Sequence, residues 1–174
     1  LNLHAKNNTM LFSFLFKTVK LSLITLAFVG NGCIGTDTLH SPAVTNFAKM
    51  EKDVLYYINQ HRTGMGLAPL QWDKTIYTEA VEHSNDMAKH RVVFGHDGFD
   101  NRFNAIKSKL GYLRGGAENV ALGHLDAQAV VNGWLHSPGH KKNIEGSYNL
   151  TAIGIAQSND GNLYFTQIFI YKPN

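Results

Sequence analysis

Apolar residues recur every three or four positions through Phe47, Met50, Val54, Leu55, Ile58 and Met65, and Gly64 with Gly66 closes the run. That period is the stripe of an amphipathic helix with one face in a core. The next stretch, Leu67–Trp72, holds Pro69 and must be extended. Asp73 stands where a side-chain acceptor opens a helix, and Ile76, Ala80, His83 and Met87 line one face of that second helix. His90 and Arg91 end it, where positive charge complements the helix dipole. A shorter helix comes after Asp100, with Phe103, Ile106 and Leu110 inward and Gly111 as its stop. Asp126 caps another, which carries Val130 and Trp134. Ser137-Pro138 then restarts a turn of helix, with Ser as cap and Pro at the first helical position.

Two strands close the chain, Leu150–Gln157 and Leu163–Tyr171, around the turn-forming Asn159-Asp160-Gly161-Asn162. The last strand is apolar on both faces, Phe165 and Phe169 against Ile168 and Ile170, so it needs cover on both sides. Helices first, strands last and a doubly covered sheet predict an α+β fold, a three-layer α-β-α sandwich.

Composition changes this picture only at the front. The chain has 174 residues, 16 Lys+Arg and 13 Asp+Glu. The first 33 residues contain Lys6, Lys17 and Lys20 and no acid, so the remainder is formally neutral. No basic run or aromatic-basic stripe is present, and nucleic acid is not an expected partner. Lys17 and Lys20 precede the apolar run Leu21–Val29, which has the length of an export signal and is too short to span a bilayer.

That run ends at Gly30-Asn31-Gly32-Cys33, which resembles a bacterial lipoprotein cleavage site with an acylated cysteine, although an aliphatic residue is usual where Gly30 stands. Ordinary cleavage nearby, leaving a free thiol, is the alternative. Cys33 is the single cysteine, so no disulfide can form within one chain. The expected organisation is a signal peptide over 1–33, a Gly/Ser/Thr/Pro tether over 34–45 and a folded domain over 46–174. A monomer is expected, in the cell envelope through a lipid anchor, or secreted.

Three stretches interleave ionisable groups with apolar ones: Phe94-Gly95-His96, Gly116-Ala117-Glu118-Asn119-Val120-Ala121 and Gly133-Trp134 through His140 to Ile144. Such interleaving places a ligating side chain at the edge of a core, where its pKa and orientation can be controlled. Residue types alone leave open a catalyst, a metal clamp or hydrogen-bonded packing.

These stretches, with Ile58-Asn59-Gln60-His61-Arg62, Gly66 through Asp73, Ala80 through His83-Ser84, Met87-Ala88, Gly154-Ile155-Ala156 and Tyr164 through Phe169, resemble the CAP superfamily over about residues 50 to 173. CAP joins cysteine-rich secretory proteins, antigen 5 and pathogenesis-related proteins; the resemblance is to its disulfide-free bacterial branch. It implies a sandwich with a central cleft holding two histidines and two acids, and metal binding through the histidines in some members. Carried over by position, the histidines are His96 and His140 and the first acid is Glu118, with Asn119, Trp134 and Ser137 supporting the cleft. Ser137 stands where the second acid belongs, which puts in doubt any mechanism that needs two carboxylates.

Two imidazoles and a carboxylate suit Zn²⁺ in type, with water in the open positions. The alternative is two cleft histidines bonded to Glu118 and water. Glu118 is read either as a general base or as the hydrogen-bonded hinge between the rings. Ser137 and His136 form no Ser-His pair, since helix neighbours point about 100° apart. Ser137-Pro138-Gly139 breaks the helix between His136 and His140, so they are not a helical metal pair. His83 reads as a satisfied core histidine, His61, His90 and His124 as surface, and Trp72 and Trp134 as core. The expected function is a binding module with a His-Glu-His cleft, for a peptide, glycan or lipid of the envelope. A metal-assisted hydrolase and a lipid or sterol carrier are the rivals.

Overall fold

The computed structural model describes residues 46–173; the expected signal segment, the tether and Cys33 lie outside the described residues. The first helix, α1 (Phe47–Gly64), is opened by the Asn46 side chain, which accepts from the Lys49 N–H at 3.0 Å. A two-residue strand, β1 (Gln71–Trp72), leads into α2 (Lys74–Ala88). Asp73 caps α2 as expected, accepting from the Thr75 and Ile76 N–H groups at 2.7 and 3.1 Å. Next come α3 (Phe99–Leu110), β2 (Gly115–Gly123), α4 (Ala127–His136), α5 (Pro138–Ile144), β3 (Leu150–Gln157) and β4 (Leu163–Tyr171). The sheet order is β1-β3-β4-β2, with β3 and β2 both antiparallel to β4 and β1 parallel to β3.

The doubly apolar β4 explains the layers. Phe165 and Phe169 pack with Val54, Ile58, Val130 and Trp134 from α1 and α4. Ile168 and Ile170 pack with Ile76, Ala80 and Ile106 from α2 and α3 on the opposite face. The fold is therefore the three-layer α+β sandwich. Closest approach falls at Gly154, where any Cβ would sit 2.3 Å from the Val81 backbone nitrogen of α2. Ser84 locks that crossing by donating to the Gly154 carbonyl at 2.9 Å.

Several expectations change. β2 is a full strand, although its glycines, alanines, Glu118 and Asn119 have little strand propensity; its pairing with β4 over Gly115–Gly123 overrides that. Met65 lies past the end of α1 and is exposed. Trp72 is 37% exposed and tilts over Tyr77 instead of entering the core. His61 is half-buried, its Nε2–H donating to Glu145 at 2.8 Å. Its neighbour Arg62 is buried and donates to the Ala68, Ile144 and Gly146 carbonyls, fixing the loop after α5. Ser137 precedes α5, but its hydroxyl makes no capping bond; Pro138 at the first position already removes one orphan donor.

Candidate functional site

His83, 3% exposed on α2, anchors the loop that delivers the first site histidine. Its Nε2–H donates to the Gly95 carbonyl at 2.9 Å, and burial lowers its pKa, keeping the ring neutral. The next residue, His96, donates from Nδ1 to Oε1 of Glu118 at 3.0 Å. A carboxylate can only accept, so this bond fixes the Nδ1–H tautomer and leaves Nε2 as the lone-pair nitrogen. The His96 side chain is half-exposed, whereas that of Glu118 is 2% exposed.

Burying Glu118 requires a counter-charge, and α3 supplies it. Arg102 donates from Nε to Oε2 at 2.9 Å and from Nη2 to Oε1 at 2.8 Å. Its Nη1 also donates to the Asp97 carbonyl at 3.0 Å, so one guanidinium ties the loop, α3 and β2 together. Both Glu118 oxygens are thus engaged by charge-assisted bonds.

On the other face of β2, Asn119 donates from Nδ2 to the His140 carbonyl at 3.2 Å. Asn143 donates to Oδ1 of Asn119 at 2.9 Å and to the Glu118 carbonyl at 3.2 Å. Trp134, 2% exposed, donates from Nε1 to the Val120 carbonyl at 3.2 Å, and its ring lies 6.5 Å from that of His140. These bonds clamp α4 and α5 against the outer edge of β2. Burial, and then the charge of His96, lower the His140 pKa.

The structure thus joins His96 directly to Glu118, while His96 reaches His140 only through its charge. Among the described residues the His140 ring makes no hydrogen bond to Glu118. His96 lines a hollow of about 370 Å³ with Asp97, Asp100 and Asn101. His140, Ser137 and Trp134 line a separate, apolar hollow of about 320 Å³ between β2 and α4. Among the described residues no cluster of three or more His, Cys, Asp or Glu side chains is arranged to hold a metal. Sequence reasoning gave no role to Arg102, and none to Asn143 beyond its place in the Gly133–Ile144 stretch. Only the question of what neutralises a buried Glu118 could have pointed to a nearby arginine.

The chain belongs to the cysteine-rich secretory protein (CAP) family, whose profile matches residues 55–169. It is 36% identical over 133 residues to the uncharacterized protein YkwD of Bacillus subtilis, covering 75% of this chain and 50% of that one. It is 34% identical over 127 residues to the uncharacterized membrane protein YlbC of the same organism, covering 70% of this chain and 34% of that one. The chain therefore spans a half and a third of the length of these relatives. Among solved structures, an extracellular SCP-domain protein from Bacillus anthracis superposes with a TM-score of 0.59 at 29% identity, over 72% of this chain and 41% of that one.

Proposed function

We propose that this CAP domain works outside the cytoplasm as a binding module, with a divalent cation of the zinc type held between His96 and His140 as part of its recognition surface. The observation that carries the reading is the state of Glu118: buried, gripped by Arg102 through both oxygens and bonded to His96. A carboxylate so engaged orients an imidazole; it is poorly placed to take a proton from water. The Glu118 bond aims His96 through Nε2, and burial favours the neutral His140 ring that a metal requires. Two protein ligands and water make a weak, exchangeable site.

An export signal ahead of the domain, with Cys33 as its lipid anchor, fits the extracellular and membrane descriptions of the Bacillus relatives. The hydrolase alternative would use Glu118 as base on a cation-held water and lacks a second carboxylate, Ser137 standing in that place. A lipid or sterol carrier would need a deep apolar cavity; the hollow at Trp134 is open to solvent.

Calorimetric Zn²⁺ titration of the wild type and the His96→Ala/His140→Ala double variant tests the reading. Saturable binding that the double variant loses is expected. Equal binding by both proteins, or none at neutral pH, would sink the cation site.

A further inference from the structure

β2 lies at the edge of the sheet, and the direction of each of its backbone groups can be read from the bonds around it. The Arg114 N–H bonds the Tyr171 carbonyl and the Asn149 N–H bonds the Ile170 carbonyl. Odd-numbered residues of β4 therefore face β2, and even-numbered ones face β3. In the β2–β4 register, Asn119↔Gln167, Ala121↔Phe165 and Gly123↔Leu163 are then the hydrogen-bonded pairs. The N–H and C=O of Glu118, Val120 and Leu122 point away from the sheet.

An open strand edge invites pairing, and this one is covered along part of its length. Asn143 caps the Glu118 carbonyl and Trp134 caps that of Val120. Leu122 has no such cap: it is 40% exposed, and no side chain among the described residues bonds its N–H or C=O. The outward carbonyls are thus capped at Glu118 and Val120 and uncapped at Leu122.

Apolar surface flanks this opening on both faces of the strand. Toward α4 lies the hollow of about 320 Å³ lined by Ala121, Leu125, Val130, Gly133, Trp134 and His140. Toward α2, Phe94 is 48% exposed and packs edge-on against Tyr164, the register partner of Leu122. A strand laid beside Leu122 would send alternate side chains to these two surfaces. An acyl chain could fill the hollow but leaves the Leu122 N–H and C=O unmatched. A glycan could bond them but not fill the hollow.

We propose that the rim of the cleft at Leu122 receives an extended peptide, whose backbone pairs with the Leu122 N–H and C=O while one large apolar side chain enters the hollow against Trp134. This gives the ligand class of the proposed binding module and rests on that reading for its location, though not on the metal. Pairing through one residue gives weak binding, with Kd on the order of 0.1–1 mM.

The test is an amide-resolved NMR titration in chelator with acetylated, amidated Thr-Ser-Xaa-Ser-Thr peptides that differ only at the centre. Large apolar centres are expected to shift the Leu122, Gly123 and Gly133 amides saturably, at least about tenfold more tightly than alanine. Gly133→Leu fills the hollow and should weaken the best peptide by at least about tenfold. A Cβ at Gly133 meets nothing within 4 Å and glycine is a poor helix former, so that variant should melt no lower than the wild type. N-methylating the peptide backbone should abolish the shifts. The proposal is overturned if no peptide shifts those amides up to about 10 mM, if N-methylation changes nothing, or if octanoate saturates the hollow while peptides do not. Because the titration excludes metal, a failed Zn²⁺ site leaves its result intact, and the reverse holds.

Discussion

Arg102 meets Glu118 side-on, with Nε on one carboxylate oxygen at 2.9 Å and Nη2 on the other at 2.8 Å, while the Glu118 side chain is only 2% exposed. Removing one partner from such a pair strands the other charge in a low-dielectric site. Arg102→Ala should therefore destabilise the domain by about 3–5 kcal/mol. Adding Glu118→Gln to Arg102→Ala removes the stranded charge and should recover part of that loss. Urea denaturation of the four proteins of this cycle checks the coupling. Additive losses would mean that the pair is only a contact of convenience.

Glu51 couples stability to pH. Its carboxylate, 3% exposed on α1, accepts the Ile155 N–H at 3.1 Å, where β3 runs on beyond its short pairing with β1. Burial raises its pKa to about 7 against the opposing pull of the Ile155 N–H and the Tyr77 hydroxyl. A raised acid binds more protons folded than unfolded between about pH 4.5 and 7, so its contribution is full below that window and fades as pH rises through it. The loss is about 2–3 kcal/mol. Wild type and Glu51→Gln should thus diverge in melting temperature between pH 5 and pH 8, with the wild type falling relative to the variant. Parallel curves would contradict the assignment; His83 and His140, which act in the opposite direction, are common to both proteins.

Cation binding at the cleft should weaken as pH falls, because protons and metal compete for the same ring nitrogens. Burial and the neighbouring His96 already depress the His140 pKa, so that ring stays neutral to lower pH than a free imidazole. Between pH 7.5 and pH 5 the Zn²⁺ affinity should drop by more than about tenfold. His83→Ala should weaken binding further at every pH by freeing the Gly95 carbonyl and loosening the loop that carries His96. A pH-independent affinity in calorimetry would move the metal off the histidines.

How much of this was legible in the chain depended on whether a residue carries a periodic signal. β4 announced a two-sided core through Phe165, Ile168, Phe169 and Ile170, and the structure divides them between the two helical layers. Asp73 and Asp126 announced their helices because a cap is a local chemical event. β2 announced nothing, since Gly115-Gly116-Ala117-Glu118-Asn119 becomes a strand only by pairing with β4. His96, Glu118 and His140 stand in stretches where ionisable and apolar residues interleave, but no ligand spacing joins them, and their roles in one cleft came from the resemblance. Arg102 and Asn143 act across 16 and 24–25 residues of sequence, on partners that only the fold brings near. Trp72 misled because its size argues for the core, whereas a two-residue edge strand leaves it half outside.

Gly154 is the place where one methyl group should do most harm. α2 crosses β3 there so closely that a Cβ would lie 2.3 Å from Val81 N and 2.5 Å from the Ala80 carbonyl carbon. These are backbone atoms in a helix, and they cannot rotate aside as a side chain would. Relief would require lifting α2, which carries His83 and so positions the His96 loop, and breaking the Ser84 hydroxyl bonds to Gly154 O and Thr166 Oγ1. Overpacking of this kind costs about 1–3 kcal/mol where neighbours can give, and more where they cannot. Gly154→Ala should therefore lose at least about 3 kcal/mol in urea denaturation and broaden the His96 and Glu118 resonances. Gly133→Ala, an open helical position, should instead stabilise by about 0.5–1 kcal/mol. If the two alanines behave alike, the tight α2–β3 crossing is not what sets the domain's packing.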